Sequence, residues 1–303
     1  MTFGRQFPQH IDATLCVEFL RCEHKALRKY MEGLHQVEKS TDLHAGGAFA
    51  MGLEAARMAL MTGEGEKEAL EIGKAVLAQA YGSHQPREGS GKSKGRMLDA
   101  FELYDSTWPL AQERLIPGGV EYAFKVELPR RHPVTGEALY YTGRMDRVEV
   151  EMPSLLAPDV QLLMPGDDKT TSSFGFGWVN SWDMSFQMLG YAWALQQQGY
   201  GVERVGVRGV AIPKTGALSA KEVFVQTPEW RTQQWYEDMM GTVERMLEAW
   251  KQDRWTRAWS NACNEYTGCE FKAACMAGPQ SIADRLLAQT HAMRWWDPLK
   301  RGG

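Results

Sequence analysis

The stretch from Tyr141 to Thr171 constrains this chain more than any other. It reads YYTGRMDRVEV, an intervening connection, and then LLMPGDDKTTS. Both ends have strand character. Alternate side chains of a strand share a face, so Asp167 and Lys169 point one way and Asp168 the other. If the two strands are neighbours, Asp146 can lie beside Asp167. Two acids and an ammonium group would then converge, the set that metal-assisted phosphodiester cleavage uses. The plainer reading of the same residues is a structural ion pair on a sheet surface.

Apolar periodicity predicts helices over 14–34, 45–62, 64–81 and 97–115. Alternation then predicts an antiparallel meander of strands at 120–128, 139–151 and 160–171, with the acids on its second and third members. SSFGFGWVN reads as a loop. The helix predicted at 181–198 is apolar almost all round, hence buried, with Gln187 and Tyr191 one turn apart on one face. Strands at 202–212 and 222–226 follow. A last long helix starts at Thr227-Pro228 and carries Trp235, Met239, Val243, Met246, Leu247 and Trp250 as a core stripe. The tail MRWWDPLKRGG is expected to be loosely ordered.

A chain of 303 residues can bury a large core, and its formal charge of −4 carries no global basic signature. Contact with a polyanion must use local patches. Two are candidates: the basic side of the first helix, with Lys25 and Arg28, and the Gly/Ser-rich segment 83–96, with Arg87, Lys92, Lys94 and Arg96. The first reads equally as a solvated helix face. The second reads either as a flexible linker or as an arm touching phosphates. No apolar run reaches the roughly 18 residues of a membrane span. MTFGRQFPQHIDATL lacks the core of a secretory signal, so a cytoplasmic protein is expected. In the helix 45–62, Gly46, Gly47 and Gly52 suggest close packing on another backbone, and Glu54 is the acid on an otherwise apolar segment.

The order of elements is helix, three antiparallel strands, buried helix, strand. With Glu54, then GRMDRV, GDDKTTS and QMLGY in sequence, the chain resembles the PD-(D/E)XK nuclease superfamily over roughly residues 15–275. Its closest likeness is to the RecB-like and exonuclease V-like branch. The resemblance implies an α/β fold: a mixed central sheet flanked by helices, with a helical N-terminal part and a Cys-containing C-terminal part. It implies a Mg2+- or Mn2+-dependent deoxyribonuclease, most simply an exonuclease on single-stranded or duplex DNA ends in recombination, repair or phage DNA metabolism. A recombinase or helicase partner would suit that role. Glu54, Asp146 and Asp167, with the Asp168 carbonyl, would hold the metal. Lys169 would orient the attacking water, and Gln187 and Tyr191 would position that water or a phosphate.

One position departs from the family pattern. Ala50 stands where a histidine usually precedes the glutamate of the first-helix motif, in GGAFAMGLE. This motivates the alternative of a nuclease-fold protein that binds nucleic acid or a partner without cutting. The family's iron–sulfur branch has one cysteine ahead of the core and three behind it. Cys22 and then Cys263, Cys269 and Cys275 match that plan, although at x5-x5 spacing without the C-x2-C step. Four thiolates suit a 4Fe–4S cluster or zinc, and free thiols are the third possibility. Cys16 is expected to be a buried thiol. The domain expectation is a single nuclease domain over 1–279, with core 43–226, and a tail over 280–303.

Overall fold

The computed structural model describes residues 3–37, 40–151, 161–175, 177–259, 261–264 and 268–300. In chain order the elements are β1 (His10–Ile11), α1 (Ala13–Arg21), α2 (Glu23–Ala26), β2 (Leu34–Gln36), α3 (Thr41–Met61), α4 (Glu66–Tyr81) and α5 (Lys94–Thr107). Then come β3 (Leu115–Arg131), β4 (Ala138–Val150), β5 (Leu163–Thr171), α6 (Phe186–Gln197), β6 (Arg204–Ala211) and β7 (Ser219–Gln226). The last are α7 (Glu229–Gln252), α8 (Lys272–Met276), α9 (Gln280–Thr290) and β8 (His291–Met293). The expected connection between β4 and β5 lies largely outside the described residues.

The chain divides into two compact units, one of Met1–Glu38, Phe124–Gly143 and Gln233–Gly303, the other of Lys39–Ala123 and Arg144–Thr232. The second unit holds the sheet's centre. Here β4 pairs antiparallel with β5, β5 parallel with β6, and β6 antiparallel with β7. β3 pairs with β4. The sheet is therefore mixed. The parallel β5–β6 pair needs a crossover, and α6 supplies it. Helices α3, α4 and α5 pack their apolar residues, including Phe49, Leu53, Leu77, Phe101 and Tyr104, into one core with Val210 and Ile212 of the sheet. Gly52 works as expected: a Cβ there would sit 3.0 Å from the Gly73 carbonyl of α4, so the two helices touch backbone to backbone. Gly47, by contrast, faces open space.

In the first unit β1 pairs parallel with the start of β4, and β2 pairs antiparallel with β8. Trp235, Met239, Val243 and Met246 of α7 are buried, whereas Leu247 and Trp250 of the expected stripe are only half-buried. The helix expected over 14–34 breaks at Cys22, whose backbone is extended; a π-helical turn over Leu27–Met31 follows α2. Arg28 is buried in an ion pair with Glu32 at 2.6 Å, so the basic face is partly internal. α9 and β8 occupy 280–293, and Trp296 Nε1 donates to Asp12 Oδ2 at 3.1 Å. Among the described residues no helix is long and apolar enough to cross a membrane.

Candidate active site

The β4–β5 register pairs Arg147 with Gly166, and one step further along it Asp146 stands opposite Asp167. Directly opposed residues share a face. Lys169, two residues beyond Asp167, therefore joins them, and its Nζ lies 2.6 Å from Asp167 Oδ2. From α6, the Gln187 amide donates to the Tyr191 hydroxyl at 2.6 Å and lies 3.5 Å from Asp167 Oδ1. Tyr191 in turn donates to the Arg144 carbonyl on β4 at 2.5 Å. The register and the α6 crossover thus bring Asp146, Asp167, Lys169, Gln187 and Tyr191 to one face.

Electrostatics on this face are those of a pair of acids too close to ionise freely. Burial, and then the charges of Asp167 and Asp168, push the Asp146 carboxyl well above its ordinary range. Asp167 is also pushed up by burial, with Lys169 opposing. The Lys169 ammonium is held above its usual value: burial works against the charge, but Asp167 and Asp146 outweigh it. Glu121 of β3 is a further acid acting on Asp146. It pairs with Arg144 at 3.5 Å and adopts φ of 50°, rare for a non-glycine residue. The sequence carries no signal for Glu121, because its strand reads as ordinary alternation.

The opposite face of the same strands is a buried ion network. Asp168 accepts from Arg57 Nη1 at 2.7 Å and from the Tyr104 hydroxyl at 2.9 Å, and it pairs with Arg147. Arg57 and Arg208 share Glu113, at 2.7 and 2.6 Å, and Arg208 Nε reaches Glu222 at 2.9 Å. Arg147 Nε reaches Glu149 at 2.8 Å. Room for Arg147 comes from Gly166, where a Cβ would fall 2.4 Å from the guanidinium carbon. The Asp168 carboxylate therefore points away from Asp146 and Asp167, and its main chain alone reaches their face. Its N–H donates to Asp146 Oδ2 at 2.6 Å. The only sequence hint of this network was Arg57 itself, a cation inside the small-residue run AARMAL.

Glu54 lies on α3 one turn ahead of Arg57. Among the described residues no three His, Cys, Asp or Glu form a group able to hold a metal ion, so Glu54 does not close a triad with Asp146 and Asp167. The two aspartates alone still fit a hard divalent cation. Mg2+ commonly takes one or two carboxylates and fills its octahedron with water and substrate phosphate. A cation would also offset the burial that raises both acids.

The other expected contacts fare unevenly. Residues 83–96 were expected to be a flexible arm, but Lys92 is buried, paired with Asp42 at 2.8 Å, and Tyr81 donates to its carbonyl at 2.6 Å. Arg96 donates to the Pro213 carbonyl at 3.0 Å, and Lys94 starts α5. The segment is held down because Gly91 runs against the Pro213 carbonyl, 2.2 Å from where a Cβ would be. Arg87 is exposed, and Lys25 pairs with Glu18. In the first unit, Cys263 and Cys275 both act electrostatically on the Cys269 thiol, which burial raises, and the Cys269 N–H donates to the Cys263 carbonyl at 3.0 Å. Lys25, three residues after Cys22, acts on Cys269 as well. Cys16 is buried.

Comparison with known proteins bears on the family and the fold. The profile of the PD-(D/E)XK nuclease superfamily matches residues 13–276. No curated protein matches the chain. A crystal structure of a "Putative exonuclease" from Eubacterium rectale is similar at 14% identity, over 89% of this chain and 94% of that one, with a TM-score of 0.52. The structure of SSO0001 matches at 14% identity over 63% of this chain and 73% of that one, with a TM-score of 0.29, too low to bear on the fold. Members of the superfamily typically use divalent metals such as Mg2+. With its mixed sheet, its flanking helices and a profile match over most of its length, the chain belongs to the PD-(D/E)XK nuclease superfamily.

Proposed function

We propose that this protein is a Mg2+- or Mn2+-dependent deoxyribonuclease, acting as an exonuclease on the ends of linear DNA. The observation that carries the reading is that Asp146 and Asp167 follow the Arg147–Gly166 pair on neighbouring strands, with Asp167 acting on the Asp146 carboxyl and Lys169 Nζ 2.6 Å from Asp167. Asp146, Asp167 and the Asp168 carbonyl would hold the cation, which supplies an activated water and neutralises charge on the phosphoryl oxygens. Lys169, beside the two acids, would orient the attacking water and give hydrogen bonds and charge to it and to the phosphoryl group. Asp167 positions Lys169. Gln187, anchored through Tyr191 to the Arg144 carbonyl, presents its amide beside Asp167, where it orients water or phosphate. The water oxygen bonds to phosphorus as the bond to the leaving sugar oxygen breaks.

Ala50, in place of the usual histidine, favours a second reading: a nuclease-fold module that binds without cutting. One experiment separates them. End-labelled linear DNA and closed circular DNA are incubated with Mg2+ or Mn2+ and with wild type or Lys169→Ala. Loss of linear DNA alone, reduced on the order of 10^2-fold or more in Lys169→Ala, supports the exonuclease. Cutting of circular DNA would make it an endonuclease. No cutting by wild type with either metal would leave the binding module.

A further inference from the structure

Directly after β5, the loop before α6 places three aromatic rings in series. Phe174 and Trp178 stand 4.6 Å apart between centroids, and Trp178 and Trp182 5.7 Å, each pair edge to face. A loop normally exposes polar residues, so a ring series here needs a reason. Its seat is specific. A Cβ on Gly209 would fall 2.5 Å from Trp178 and 3.0 Å from Phe174, so the rings lie on bare β6 backbone. Gly209 pairs in register with Lys169 on one side and with Lys221 on the other. The three residues form one row on one face of the sheet. Lys221 Nζ stands 5.5 Å from the Phe174 ring centroid, and Lys221 itself is exposed on β7. Arg231 Nη2 lies 3.8 Å from Met184 Sδ at the loop's far end. Phe174, Trp178 and Trp182 are only half-buried, so ring surface remains open.

We propose that Phe174 and Trp178, with Lys221 beside them, form a stacking platform for unpaired bases of single-stranded DNA, next to the Asp146–Asp167–Lys169 face. The inference rests on the nuclease reading and deepens it by naming the strand state of the substrate. Every base offers a π-face to an aromatic ring, and lysines beside the rings meet the phosphates that follow each base. A duplex keeps its bases stacked inside and offers the rings nothing comparable. The platform continues directly from the D-x-K strand: Lys169 and the rings belong to one row, so a base stacked there holds its own phosphodiester near the two aspartates. A docked protein would have no use for cations lined up with Lys169.

The test uses the full-length protein in metal-free buffer, where hydrolysis is off. Binding of an oligothymidylate, an abasic strand and a blunt duplex, each about 15 nucleotides long, is followed by anisotropy and by tryptophan quenching. The expected result is that the oligothymidylate binds about 10-fold or more tighter than the abasic strand and the duplex, with quenching. Trp178→Leu and Phe174→Leu each weaken it by about 10-fold. Lys221→Glu, on an exposed strand, weakens it too and keeps the test valid should a ring variant misfold. Equal affinity for oligothymidylate and abasic strand, or unchanged binding in Lys221→Glu, overturns the platform. Metal-dependent hydrolysis can persist through that outcome, and then the nuclease reading stands alone. Strand-selective binding with no hydrolysis under any metal overturns the nuclease reading and keeps the platform.

Discussion

The main-chain N–H of Asp168 donates to the Asp146 carboxylate at 2.6 Å, while the Asp168 side chain is locked to Arg57, Arg147 and Tyr104 on the other face of the sheet. One residue thus ties a structural ion network to the candidate site. Removing a partner from a buried ion cluster strands the remaining charges and costs about 3–5 kcal/mol. Asp168→Asn should therefore lower stability by that order in denaturant titration. Gly166→Ala should cost about 1–3 kcal/mol, because its methyl group would displace Arg147. A Gly166→Ala protein as stable as wild type would show that Arg147 is not held where the network places it.

The two faces titrate in opposite senses. Asp146 is held above its ordinary range by burial and by its acidic neighbours. The folded state therefore keeps a proton that the unfolded chain releases, and this group's contribution to stability falls as pH rises from about 4 through the raised value. Asp168 is depressed despite burial, by Arg147, Arg57 and Arg208. Its contribution is complete above the unfolded value and disappears only as pH falls well below the usual carboxylate range. In metal-free buffer, Asp146→Asn should exceed wild type in melting temperature by a margin that grows as pH rises above the ordinary carboxylate range, and Mg2+ should close it. A margin that shrinks as pH rises would contradict the direction assigned to Asp146.

Cys263 and Cys275 act on the Cys269 thiol, and Cys22 lies three residues from Lys25, which acts on it too. Among the described residues these cysteines do not form a metal-holding group; if they close around a 4Fe–4S cluster, anaerobically purified protein is brown and carries about four irons per chain. Cys22→Ser should lose iron and melting temperature together, whereas Cys16→Ser should keep its iron, since Cys16 is a buried thiol. Colourless, iron-free wild type indifferent to Cys22→Ser would remove the cluster.

Period-2 alternation made β4 and β5 legible, and alternation plus neighbouring strands was enough to bring Asp146, Asp167 and Lys169 together. Helical spacing did the same for Gln187 and Tyr191. What stayed hidden depended on partners distant in sequence. Arg57, Arg147 and Arg208 look like surface cations until Glu113, Glu149, Glu222 and Asp168 are folded against them. Lys92 read as part of a mobile arm because Gly and Ser dominate its surroundings. The Gly91 approach to Pro213 that pins it is a tertiary fact.

Tyr191 is the hinge of the α6 contribution: its hydroxyl donates to the Arg144 carbonyl and accepts from Gln187. Tyr191→Phe removes one donor and one acceptor and leaves the carbonyl without that partner, which costs about 1–3 kcal/mol of stability. The freed Gln187 amide no longer has a fixed aim at Asp167, so hydrolysis should fall by about 10-fold. Gln187→Ala should cost a similar factor. Because the two residues act through one hydrogen bond, the double variant should lose little more than either single one, a coupling that a double-mutant cycle on kcat/KM measures directly. Multiplicative losses would mean that Tyr191 and Gln187 serve the reaction independently, with Tyr191 acting through Arg144 and β4 alone.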